Sequence, residues 1–186
     1  MKKLIILSMV TFVALVSANA QQNEDVAKKE MKKEKAELRK EKKDLKKLEG
    51  NDVSYQAKQS FAEDFGNIPV SKWERTANFD EATFARNGET TKAFYDSDGE
   101  LVGTTTVKTF HDIPVRAQQL INKKYPDYTK EAVILFDDNE FNETDMILYN
   151  QQFEDADNYF IELKKGDTTI IVMSDMNGDI SYFQQM

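Results

Sequence analysis

Apolar residues recur at every fourth position in two segments that lie sixty residues apart. This spacing places each series on one face of a helix, so the pattern predicts two amphipathic helices. Asp52 and Asp112 are the expected N-caps, while Gly66 and Pro126 are expected to end the helices. The two series are Val53, Ala57, Phe61 and Phe65, and Ile113, Ala117, Ile121 and Tyr125.

Each predicted helix is followed by runs of apolar and β-branched residues that are typical of strands. Asn87-Gly88 and Lys165-Gly166 have the composition of hairpin turns. The strands after the first helix are expected over 70–79, 81–86, 90–95 and 100–110. Those after the second helix are expected over 130–136, 145–153, 158–164, 168–174 and 179–184.

The order of elements indicates an internal duplication. Asp96-Ser97-Asp98-Gly99 in the first part corresponds to Asp175-Met176-Asn177-Gly178 in the second, 79 positions later. The helices are offset by only 60, so an insertion of about 19 residues is expected in the acidic segment 137–157. The predicted fold class is α+β, with tandem units of one helix and a four-stranded antiparallel sheet over 51–111 and 112–186.

The N-terminal fifty residues differ in composition from the rest. Residues 1–20 combine Lys2 and Lys3, an apolar run and Ala18-Asn19-Ala20, which is the layout of a signal peptide. Residues 21–50 are rich in Lys and Glu and predict a charged helical stalk, either solvated or forming a coiled coil. No second apolar stretch is long enough to span a bilayer. The expected localisation is therefore periplasmic or secreted.

The helix and strand motifs together resemble a known family. An apolar helix ending at Tyr125-Pro126, a strand bearing Trp73 and the two Asp-x-x-Gly turns are similar to the PepSY-like, β-lactamase-inhibitor-protein-like domains of secreted bacterial proteins. The resemblance implies helices on one face of an antiparallel sheet and an open opposite face. In the lactamase inhibitors that face grips an enzyme, so an inhibitor-like or regulatory binding module is implied here.

Charge and composition exclude several classes of function. The formal net charge is −8, and residues 51–186 carry 12 basic and 25 acidic side chains. A domain this acidic repels phosphate backbones, which disfavours nucleic acid as a partner. The chain has no Cys, so disulfides and thiolate metal sites are excluded, and no cofactor is expected.

Residues suited to catalysis are scarce. The single His, His111, lies beside the predicted cap of the second helix, with no candidate nucleophile near it in the sequence. No nucleophile elbow, phosphate-binding glycine loop or His-Glu-x-x-His motif is present. The sequence therefore predicts that the protein is not an enzyme.

The acidic turns suggest an alternative function in cation binding. Oxygen-bearing side chains alternate as they do at the start of a calcium loop, but the later ligands of such a loop are missing. Tight turns in which Asp and Asn bond their own backbone explain the same residues without a metal and are the favoured interpretation. The alternative is a calcium-binding envelope protein that uses the acidic insertion and the turn residues Asp96, Asp98, Asp175, Asn177 and Asp179.

Apolar side chains on both faces of the last strands point to a binding surface. Strand alternation sends one set towards the helix and leaves a surplus on the opposite face. This surplus is expected to bind a protein or peptide, unless the two units or two chains bury it against each other. The predicted partner-binding residues are Phe160, Ile171, Met173 and Phe183.

Overall fold

Two helices and ten strands make up the described part of the computed structural model, which covers Lys33, Gly50 and residues 52–154 and 156–186. The predicted signal peptide and stalk lie outside the described residues, except for Lys33 and Gly50. Residues 51–186 form one of two compact units, and everything below concerns that unit. Among the helices of the described ranges, none has the length and apolarity needed to cross a bilayer.

Helix α1 spans Tyr55–Phe65 and helix α2 spans Val115–Lys124. Ser54 rather than Asp52 caps α1, because its Oγ accepts a 3.0 Å hydrogen bond from the Ala57 N–H. Gly66 ends this helix at φ 72°, as predicted. Helix α2 begins after Pro114, and the Asp112 carboxylate instead closes the preceding turn by accepting from the Thr109 N–H at 2.7 Å.

Eight strands form one continuous antiparallel sheet in the order β1-β2-β3-β4-β5-β8-β9-β10. The short strands β6 and β7 form a separate hairpin rather than the single strand predicted over 145–153. The α+β class is confirmed. The strands are Val70–Arg75, Asp80–Arg86, Glu89–Tyr95, Leu101–Lys108, Thr129–Asp138, Ile147–Leu148, Gln151–Gln152, Asn158–Lys165, Thr168–Asp175 and Ile180–Gln185.

The chain can be divided into a first half (α1 and β1–β4) and a second half (α2, β5 and β8–β10). The register shifts between Val70 and Lys72 in β1, and again sixty residues later between Lys130 and Ala132 in β5. The β2–β3 and β8–β9 pairings correspond at an offset of 79, because Asp80 pairs with Tyr95 as Tyr159 pairs with Ser174. The offset between corresponding register positions thus changes from 60 to 79 between β5 and β8, a difference of 19 residues.

The apolar face of each helix packs on the same side of the sheet, which is called here the back face. Ala57 and Ala117 are fully buried at matching positions. Gly99 and Gly178, both at positive φ, lie against the first turns of α1 and α2, so that a Cβ on either would meet helix atoms. The helices thereby bury two clusters, one containing Phe61, Phe84 and Tyr95 and the other containing Ile121, Ile161 and Leu163.

A largely buried ion pair joins the start of α1 to the first two strands. Arg75 Nε donates to Asp80 Oδ1 at 2.6 Å and Arg75 Nη2 donates to Asp80 Oδ2 at 2.7 Å. The Ser54 N–H adds a 2.9 Å bond to the same carboxylate. Burial by itself would raise the pKa of Asp80, but Arg75 and Ser54 outweigh it and hold the pKa below its usual value.

Both outer edges of the sheet are irregular. The register shift in β1 lies on one outermost strand, and β10, the other outermost strand, has its own shift between Tyr182 and Gln184. Such bulges interrupt the regular row of backbone hydrogen-bonding groups and increase the local twist.

Candidate functional site

The front face of the sheet, opposite the helices, differs between the two halves. In the second half it is covered by the insert, defined as residues 139–157 between β5 and β8. Met146 is fully buried and Phe153 is 8% exposed, and both belong to one cluster with front-face residues of the sheet. The Phe153 ring meets those of Phe136 and Phe160 at centroid distances of 5.1 and 4.9 Å. The insert therefore supplies the second half with its own apolar cover.

The predicted partner-binding residues lie beneath this cover, and the expectation that they line an open surface is wrong. Phe160 and Ile171 are fully buried, Phe183 is 7% exposed, and Met173 is partly buried against the same cluster. The reason is that the insert, acidic in composition, also carries the apolar residues Met146 and Phe153. These residues dock where a separate partner was expected.

In the first half, a groove remains between the front face of strands β2–β5 and the β6–β7 hairpin. Its volume is about 460 Å³, within the range of small-molecule and side-chain binding clefts. The apolar residues that line it are Phe79, Phe94, Val107, Ile134, Ile147 and Leu148. Its polar lining consists of Thr76, Asn78, Glu81, Thr90, Lys92, Thr105, Tyr149 and Asn150.

One ion pair lines the groove. Lys92 Nζ lies 3.1 Å from Glu81 Oε2, with the Glu81 side chain mostly buried and that of Lys92 44% exposed. At the offset of 79, Glu81 corresponds to Phe160 and Lys92 to Ile171. The second half thus has apolar side chains under its cover where the first half has two opposite charges. Partial exposure of Lys92 avoids the cost of burying both charges fully.

The floor of the groove offers apolar surface beside hydroxyl groups. The rings of Phe79 and Phe94 meet edge to face at 5.9 Å, and Val107 remains 55% exposed. Thr105 is 7% exposed and faces the groove. A cleft that combines apolar floor with a few polar groups is suited to a side chain or a short peptide segment.

The hairpin wall of the groove is held in an uncommon backbone conformation. Tyr149 and Asn150 form the two-residue turn between β6 and β7, at φ 53° and 62°. Positive φ is uncommon for a bulky residue such as Tyr, so surrounding contacts must hold it. Tyr149 Oη donates to Glu162 Oε1 at 3.1 Å, and Gln184 Nε2 donates to the Tyr149 carbonyl at 2.7 Å. Burial, followed by the nearby Glu162 carboxylate, raises the pKa of Tyr149.

The acidic turns use their oxygens within the protein. Asp96 Oδ1 accepts from the N–H groups of Asp98 and Glu100 at 2.8 and 3.0 Å. Asp175 Oδ1 does the same for Asn177 and Asp179, at 3.0 and 2.8 Å. In the described ranges, no three acidic or His side chains converge on a possible metal position. The calcium alternative gains no supporting geometry.

Local sequence patterns contain only a partial signal for the groove. Asn87-Gly88 and the strand pattern place Glu81 and Lys92 on one face, but sequence alone cannot show where the insert packs. The unusual apolar run Met146-Ile147-Leu148-Tyr149 within an acidic segment could have identified the cover. His111 is exposed at the start of α2 and is not among the residues that line the groove.

Solved structures from Bacteroides share this fold. A proposed periplasmic protein from Bacteroides eggerthii is 14% identical at a TM-score of 0.57, over 72% of this chain and 88% of its own. A DUF2874 family protein from Bacteroides uniformis gives the same identity and TM-score, over 69% and 86% of the two chains. A BLIP-like protein from Bacteroides fragilis is 12% identical at a TM-score of 0.55, over 71% and 86%.

These likenesses confirm the predicted resemblance at the level of the fold. No family model and no curated relative matches the sequence. The periplasmic description of the protein from Bacteroides eggerthii agrees with the export predicted from residues 1–20.

Proposed function

We propose that this protein is an exported, noncatalytic module that binds another protein or a peptide through the groove on the front face of its first half. Export is supported by the signal-peptide pattern and by the fold shared with a proposed periplasmic protein. Binding is supported by the likeness to a BLIP-like protein, since the resemblance implies partner recognition through a sheet face.

The observation that carries the proposal is the difference in cover between the two halves. The insert buries Phe160 and Ile171 on the front face of the second half, whereas on the first half its β6–β7 hairpin forms one wall of a groove and leaves Val107 exposed. Val107, which is 55% exposed, and the half-buried Ile134 give a partner apolar surface to bury, above the buried rings of Phe79 and Phe94.

The lining of the groove favours binding over catalysis. Its titratable side chains among the described residues are Glu81, Lys92 and Tyr149. Glu81 and Lys92 form an ion pair, and the Tyr149 hydroxyl donates a hydrogen bond to Glu162. None of these groups is paired with a nucleophile that it could activate.

A matched pair of substitutions tests the proposal. Val107→Arg places a charged side chain in the groove, whereas Val115→Arg makes the same change at an exposed Val on α2. Partners are captured from an envelope extract of the source bacterium, identified, purified and titrated against each variant. We expect Val107→Arg to weaken binding at least about tenfold and Val115→Arg to leave it nearly unchanged. Equal affinities of the two variants for every captured partner would show that the groove is not the binding site.

A further inference from the structure

An exposed aromatic ring marks a second part of the binding surface, outside the groove. Phe141 lies in the connection between β5 and β6 and is 96% exposed. The other exposed large apolar residues of the described ranges reach at most 67%. Leaving a Phe side chain in water forgoes the free energy that its burial would release. A single exposed apolar residue is ordinary, so the loop around Phe141 must also be considered.

The loop that carries Phe141 is fixed to the first half by several hydrogen bonds. The Asn139 backbone N–H donates to the Val102 carbonyl at 3.0 Å, and Asn139 Nδ2 donates to the Leu101 carbonyl at 2.7 Å. Asn142, which is buried, donates from Nδ2 to Asp96 Oδ2 at 3.1 Å. These contacts secure the loop on both sides of Phe141.

A fixed loop changes what the exposed ring can do. Ordering a flexible loop on binding opposes association, and a loop that is already ordered avoids this cost. The side chain of Asn142 also accepts from the Thr144 N–H at 2.8 Å, which closes the turn behind the ring. The fixed loop thus holds the Phe141 side chain in solvent, as expected of a preorganised anchor residue.

The charges around the ring define the chemistry of a partner. Residues 137–145 contain five acidic side chains and no basic one. Glu140 and Glu143, on either side of Phe141, are both exposed. An apolar ring flanked by carboxylates is complementary to an apolar pocket with Lys or Arg on its rim. A second copy of this chain is a poor fit, because residues 51–186 carry 25 acidic and 12 basic groups.

We propose that Phe141 is an anchor that inserts into an apolar pocket of a protein partner, and that basic residues around this pocket pair with Glu140 and Glu143. The inference rests on the proposed binding function and adds the partner's surface chemistry. The acidic flanks speed association through long-range attraction, whereas burial of the ring slows dissociation.

Photocross-linking tests the site directly. The probe is p-benzoyl-phenylalanine, a photoreactive analogue of Phe, placed at position 141 of the full chain and exposed to an envelope extract of the source bacterium. The control carries the same probe in place of Tyr55, an aromatic residue on α1 that is 67% exposed. We expect a cross-linked protein specific to position 141, attached at an apolar site with basic neighbours. Cross-links to a second copy or to an acidic surface, or equal products from both positions, would overturn the proposal.

Affinity measurements with the identified partner separate this inference from the groove. Phe141→Ser should weaken binding at least about tenfold while Tyr55→Ser changes it less than about twofold. Glu140→Gln with Glu143→Gln should slow association and reduce its dependence on salt. Loss of binding with Val107→Arg but not with Phe141→Ser would refute the anchor and leave the groove in place. The reverse result would retain the anchor and refute the groove.

Discussion

The two halves of the molecule share a back face and differ on the front. Each packs a helix on the sheet through a buried Ala, with a glycine turn against the first helical turn. On the front, Glu81 and Lys92 of the first half correspond to Phe160 and Ile171 of the second. The comparison teaches that two halves with the same back face can differ in how far the front face is covered. The difference depends on where the insert packs and on whether the side chains beneath it are apolar or charged.

The largest expected effect comes from truncating the side chains at two matching positions, one in each half. Phe160→Ala leaves a cavity under the insert and should lower the free energy of unfolding by about 3–5 kcal/mol. Glu81→Ala at the corresponding position should cost about 1 kcal/mol or less, because its Lys92 partner is partly exposed. Urea unfolding measures both. Similar losses at the two positions would contradict the description of one covered and one open face.

A second test concerns an ion pair found in the first half. Tyr159 stands where Asp80 would lie in the second half, at the offset of 79. Asp80→Asn should destabilise the protein by about 3 kcal/mol near neutral pH, because a neutral amide no longer offsets the charge of the largely buried Arg75 guanidinium.

The same substitution has a defined pH dependence. The pKa of Asp80 is lower in the folded state than its ordinary value, so its stabilisation is present above about pH 4 and is lost as pH falls through the lower folded pKa. The stability difference between wild type and Asp80→Asn should therefore shrink on acidification. A difference that stays constant would argue against the charged pair.

The glycine turns provide a matched pair on the back face. A Cβ at Gly99 would lie 2.5 Å from Gln56 Cβ, whereas at Gly178 the nearest atoms, including the Ala117 backbone N, are 3.0 Å away. Both glycines have positive φ, so each Ala substitution costs about 1 kcal/mol in backbone strain. We expect Gly99→Ala to cost about 1 kcal/mol more than Gly178→Ala because of the closer approach. Thermal unfolding measures the stability of both variants. A larger loss for Gly178→Ala than for Gly99→Ala would contradict this expectation.

The smallest expected effect concerns the hairpin that separates the covered region from the groove. Tyr149→Phe removes the hydrogen bond to Glu162 and should cost about 1 kcal/mol. Hydrogen exchange should show faster exchange in the hairpin and unchanged protection in α1, which serves as the internal reference. Unchanged exchange at 147–152 would mean that other contacts alone hold the turn.

Much of the fold could be predicted from local sequence patterns. The end of α1 at Gly66, the Asn87-Gly88 hairpin and the Asp-x-x-Gly turns depend on nearby residues, and the insertion is expected from the difference between two offsets. The N-cap of α1 was misplaced because Asp52 and Ser54 are both good capping residues. Only the backbone path shows that Ser54 reaches the Ala57 N–H.

The candidate site was less predictable because it depends on long-range packing. Alternation correctly separated Phe160 and Ile171 from the helix-facing residues, but it could not show which segment covers them. The insert is acidic in composition, so the sequence did not indicate that Met146 and Phe153 are buried in the core. Exposure of Phe141 likewise depends on contacts between its loop and residues more than thirty positions earlier, such as Leu101.

The irregular edges of the sheet affect how folded molecules of this protein associate with one another. An open sheet ends in two strands whose unpaired backbone groups can recruit strands of neighbouring molecules and seed fibres. Here the outermost strands are bulged, and β1 also carries Lys72, Glu74 and Arg75. Strands of neighbouring molecules therefore find poor templates at either edge, which limits edge-to-edge association of the folded protein.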